Sequence, residues 1–138
     1  MHRSFAWFLV LGLASCDGAK DEARTLAKAV DAFRKAPMDK QPELADALEK
    51  VPCSDPDVCA AKDACTKSAV PTANGIRLQK EVEQGLADLK AGKLAADSTE
   101  AKGLRTKVEL ANVESEKGIN ALEDCDNRLI RLKVKYSL

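Results

Sequence analysis

Histidine and tryptophan occur once each, as His2 and Trp7, and from residue 16 onward the only aromatic side chains are Phe33 and Tyr136. Without a histidine in that stretch, a nucleophilic triad lacks its usual base and a metal site its commonest ligand. Few aromatic or large apolar groups are available to line a ligand cavity. The longest apolar run, Phe5 to Leu13 (FAWFLVLGL), falls well short of the about 20 residues that a membrane span requires. Gly75, Gly85, Gly92 and Gly103 stand singly in helical text, so no glycine-rich phosphate loop is present. Charge of one sign is also missing. Lys and Arg number 22 against 22 Asp and Glu, which leaves no basic field for nucleic acid.

What is there begins with five cysteines, Cys16, Cys53, Cys59, Cys65 and Cys125. No two are spaced Cys-x-x-Cys, the arrangement that lets two sulfurs converge from one turn in redox motifs and zinc knuckles. The carboxylate pairs Glu81/Glu83, Glu114/Glu116 and Asp124/Asp126 sit two residues apart, so each pair points to different sides of a helix. They read as solvated charged faces. No catalytic residue, cofactor or metal is expected.

Residues 1–15 have the order of an export signal: Arg3, then the apolar run, then small residues. The tetrad Leu13-Ala14-Ser15-Cys16 resembles the lipobox of bacterial lipoproteins, an aliphatic residue and two small ones before a cysteine. The resemblance implies cleavage before Cys16, a diacylglyceryl group on its thiol, and acylation of the new amine. It implies a chain anchored by lipid in the bacterial cell envelope and facing the periplasm. Asp17 resembles an inner-membrane retention signal of enteric lipoproteins, while the outer membrane stays open because that rule is not general. In such an oxidising compartment the four remaining cysteines favour two disulfides.

The mature part reads as one all-α domain: signal peptide 1–15, a lipidated tether 16–20, and a helical domain 21–138. Ala23, Leu26, Ala27, Val30 and Phe33 recur at helical spacing over about residues 21–35, and Ala36-Pro37 ends that helix. Pro42 starts a second, short helix with apolar Leu44, Ala45, Leu48 and Val51. Asp55-Pro56-Asp57 is a strong start for a third: a capping aspartate, proline at the first position, and an acid in the first turn. Pro71 and Asn74-Gly75 interrupt it as a kink or a break. Leu78, Val82, Leu86 and Leu89 continue to Gly92, a natural helix stop. Asp97 and Glu100 have capping-box spacing. The longest periodic run follows, Leu104, Val108, Ala111, Ser115, Ile119, Leu122, Cys125, Leu129, Leu132 and Tyr136. The expected architecture is a long antiparallel helical hairpin with one or two shorter N-terminal helices, stapled by disulfides.

Cys53 and Cys59 flank the Asp55 cap at a distance that a disulfide can bridge, much as a hydrophobic staple folds the chain back onto its first turn. For a hairpin turning near residue 95, facing residues have numbers summing to about 190, which pairs Leu86 with Leu104, Val82 with Val108 and Cys65 with Cys125. A Cys59–Cys125 bridge is the competing register. Function is read as a non-enzymatic interaction or structural module, held to the membrane through lipid on Cys16, with an envelope protein as its partner. The alternative is a small lipoprotein that holds an apolar ligand between its helices. The basic end Arg128, Arg131, Lys133 and Lys135 is read first as complementing the helix dipole, with anionic lipid head groups or an acidic partner as the alternative.

Overall fold

A computed structural model describes residues 15–138; residues 1–14, most of the stretch read as an export signal, and the Cys16 side chain lie outside what is described. Among the described residues there are five α-helices and no strand: α1 (Ser15–Lys35), α2 (Gln41–Glu49), α3 (Pro56–Lys90), α4 (Thr99–Asn120) and α5 (Leu122–Tyr136). The all-α hairpin is present, formed by α3 against α4 and α5. The helix read from residue 21 starts at Ser15, so residues 16–20, read as a tether, form the first turns of α1.

The cap of α3 forms as its residue types dictate. Asp55 is extended (φ −71°, ψ 129°), and its carboxylate accepts from the amides of Asp57 at 3.0 Å and Val58 at 3.1 Å. Pro71 does not end the helix, which runs unbroken for 35 residues. At the far end Gly92 takes φ +69°, while Lys93 N donates to Asp88 O and Gly92 N to Leu89 O. This is a Schellman stop, which needs a left-handed residue at that position. The next cap differs from the sequence reading. Ser98, not Asp97, is extended ahead of α4, and its hydroxyl accepts from Ala101 N at 3.1 Å.

One buried cluster holds the molecule together. Ala23, Leu26, Val30 and Phe33 of α1 meet Ala45, Leu48 and Val51, the first half of α3, and Cys125, Leu129 and Leu132 of α5. These small and medium side chains form a head around the root of the hairpin. Beyond it, the rest of α3 and α4 continues as a two-helix arm.

The arm is joined by close approach of the backbones rather than by a wide apolar seam. Gly75 faces Ala111 and Ser115, Gly85 faces Leu104, and Gly118 faces Ser68 and Thr72. Leu86, expected opposite Leu104, is 54% exposed, and Val108 is exposed as well. Gly85 takes the Leu86 place because the missing side chain lets Leu104 seat against the backbone. The register survives these substitutions along the seam, through Asp57–Lys135, Cys65–Cys125, Asn74–Glu114 and Glu81–Lys107.

The long C-terminal run is interrupted at Ala121 (φ −86°, ψ −8°). Ser68 Oγ donates to Gly118 O at 2.8 Å, and that carbonyl is the one residue 122 would use in an unbroken ladder. A side chain inserted into the ladder is a recognised cause of such a kink. Ile119 is 68% exposed despite its place in the periodic pattern.

Glu22 fixes the start of α1 to the start of α3. Its carboxylate accepts from Ser54 Oγ, Ser54 N and Asp55 N, and these bonds, the Ser54 hydroxyl foremost, hold its pKa below the ordinary 4.5. A carboxyl depressed by folding contributes stability above its unfolded value and loses it as pH falls through the folded one. Wild type should therefore melt higher than Glu22→Gln at neutral pH, with the gap closing below about pH 4.5. A gap of constant size across an acid series of melts would refute that role.

Candidate interaction surfaces

The cysteines pair as Cys53–Cys59, with α-carbons 5.3 Å apart, and Cys65–Cys125, 4.5 Å apart. Both separations suit a disulfide. The first closes the corner around the Asp55 cap. The second welds α3 to α5 inside the core, where both residues are buried. Arg34, which the sequence reading did not single out, spans this second bridge: one guanidinium nitrogen donates to Cys125 Sγ at 3.4 Å and pairs with the Asp126 carboxylate. Its place one residue after buried Phe33 was the available signal.

The carboxylate pairs behave as solvated faces. Glu81 pairs with Lys107 and Glu114 with Lys117, while the neighbours Asp124 and Asp126 turn to different partners, Arg128 and Arg34. Among the described residues no group of three or more metal-ligating side chains comes together. No described helix is long and apolar enough to cross a membrane.

Beside the buried disulfide, a half-open cleft of about 220 Å³ separates α1 and α2 from the hairpin. Val30, Phe33, Leu48, Ala69, Ile119 and Leu122 supply most of its wall. Its polar members are already used within the protein. Ser68 bonds Gly118 O, Thr72 bonds Ser68 O, Gln41 bonds Ala36 O, and Arg34 holds Asp126. What faces the space is therefore apolar, and an apolar cavity of about 150 Å³ is enough for a benzene-sized guest.

The same side of the hairpin continues along the arm. Thr72, Gln79 and Glu83 on α3, with Ile119, Asn112 and Val108 on α4, follow helical steps of one face. Of these, Gln79, Glu83, Asn112 and Val108 line a second groove of about 200 Å³ with Val82 and Ala111. No helix among the described residues covers it. Arg77 of α3 ties α2 down, bonding Pro42 O at 3.1 Å and the Asp46 carboxylate at 2.8 Å.

Three of the four C-terminal cations gather at a shallow pocket of about 130 Å³ between the start of α3 and α5, lined by Asp57, Ala60, Arg128, Arg131, Leu132 and Lys135. Lys135 bonds Asp57 at 2.6 Å, and Arg128 uses its Nε on Asp124. Burial raises the Asp55 carboxyl nearby, but the Val58 amide, the Tyr136 hydroxyl, Lys135 and the Asp57 amide outweigh it and leave the pKa below the ordinary value. No protein-family model, curated protein or solved structure matches the chain.

Proposed function

We propose that this protein is a lipid-anchored module of the bacterial cell envelope that works by presenting a rigid helical arm to another envelope protein, without catalysis. The observation that carries the reading is the arm. A disulfide-welded root holds two helices whose outer flanks bear Leu86, Val108, Leu110 and Val113 exposed to solvent. Exposed apolar groups on a stapled projection suit an interaction surface better than a solvated one. Lipid on Cys16, implied by the lipobox-like tetrad, supplies the attachment, because several acyl chains on one residue anchor stably where one alone is marginal.

A photo-crosslinking residue placed at Val108 and at Leu110, in cells, tests this reading. One and the same envelope protein should be captured from both positions, and the capture should fall when Cys16→Ser releases the chain from the membrane. No adduct at either site, or capture that ignores Cys16, would contradict it.

A second reading has its own support in the cleft, whose lining and satisfied polar groups suit a small apolar ligand. Native mass spectrometry of protein extracted from membranes should then find an apolar adduct in wild type that Ile119→Trp removes. Identical masses for the two proteins after subtracting the substitution would rule it out.

A further inference from the structure

We infer that the outer face of α5 is a second membrane contact, which seats on anionic lipid beside the anchored N-terminus. The inference rests on the anchored reading for its choice of partner, and adds to it a surface and a lipid class. From Arg128 to Leu138 the chain carries four cations, Arg128, Arg131, Lys133 and Lys135, and no acidic side chain. Interleaved with them are Ile130 and Val134, four residues apart on one helical face; Ile130 is 59% and Val134 77% exposed. Basic groups flanking exposed apolar ones are the composition of a helix lying in the head-group layer.

Placement agrees. Lys135 bonds Asp57 and Glu22 bonds Ser54 and Asp55, so the end of α5, the start of α3 and the early turns of α1 lie together. Cys16 lies about 9 Å further along α1 from Glu22, at 1.5 Å per residue. The hairpin turn is at the other end of the molecule. The acidic groups of this end are mostly engaged. Glu22 holds Ser54 and Asp55, Asp55 caps α3, Asp57 pairs with Lys135, and Asp21 pairs with Arg24, which leaves Asp17 here and Glu123 at the far start of α5. Arg131 and Lys133 make no ion pair among the described residues and are free to meet phosphates.

Vesicle flotation of the unacylated mature chain, residues 16–138 with Cys16→Ser, tests the surface separately from the anchor. That chain contains the whole buried cluster, which runs from Ala23 to Leu132. It should float with phosphatidylcholine vesicles that contain phosphatidylglycerol and stay behind with phosphatidylcholine alone. Arg131→Glu with Lys133→Glu should weaken flotation roughly tenfold or more, since each cation near such a surface contributes about 1 kcal/mol. Val134→Ser, which leaves the charge unchanged, should weaken it several-fold. Lys90→Glu with Lys93→Glu at the hairpin turn makes the same change in net charge and should leave it intact. Equal binding to both vesicles, no effect of the α5 changes, or an equal effect at the turn would overturn the inference. None of those results bears on acylation of Cys16, which a mass measurement decides independently.

Discussion

Cys65→Ser or Cys125→Ser should lower the melting temperature about twice as far as Cys53→Ser or Cys59→Ser. The Cys65–Cys125 bridge joins residues 60 apart in sequence, and Cys53–Cys59 joins residues 6 apart. In the chain-entropy model the long loop contributes about 4 kcal/mol and the short one about 2 kcal/mol. The long bridge is also part of the core, so its loss leaves a polar hydroxyl and a thiol among buried residues. Against a typical domain stability of about 5–15 kcal/mol, its loss is a large fraction of the whole. Reducing agent should open the half-buried corner before the buried weld. Differential scanning calorimetry of the four single variants measures this, and equal shifts from all four would show that the hairpin does not depend on the weld.

Gly118→Ala should destabilise the chain by about 1–3 kcal/mol, although alanine is the better helix former. A Cβ there would collide with Thr72 Oγ1 and lie 2.8 Å from Ser68 O. The hydroxyl can rotate away; the carbonyl belongs to α3 and can move only if the two helices part. Separation would also break the Ser68–Gly118 hydrogen bond at the kink. Gly103 supplies the control. Nothing lies within 4 Å of a Cβ built on it, so Gly103→Ala should stabilise by about 0.5–1 kcal/mol from helix propensity alone. Opposite signs for two glycine-to-alanine changes on one helix locate the close crossing, and urea melts of both variants report them. A stabilising Gly118→Ala would mean that α3 and α4 do not meet there.

Much of this arrangement was legible in the residues. The Asp55 cap, the Gly92 stop and the pairing of Cys65 with Cys125 each follow from local chemistry plus the constant register of an antiparallel hairpin. The errors have a common cause, which is that periodicity reports which residues are apolar and not which face meets a neighbour. Leu86 and Ile119 fit the pattern, yet they are exposed because glycines one residue away, Gly85 and Gly118, take the contact. Small side chains carry no hydropathy signal, so an interface built by backbone approach is hard to read. The Ser98 cap was missed because Asp97 has the spacing of a capping box, while the hydroxyl one residue later takes the extended conformation. The cleft depends on how α1 and α2 lean on the hairpin, and the sequence supports only the general expectation of space between them.

The reading as a whole depends on Cys16. Intact-mass analysis of the protein extracted from the membrane fraction is the most direct measurement. The account predicts a chain that starts at Cys16, lacks residues 1–15, retains two disulfides, and is heavier by a diacylglyceryl group and an amide-linked acyl chain. A soluble chain without added lipid, or one with its N-terminus at another residue, would contradict it.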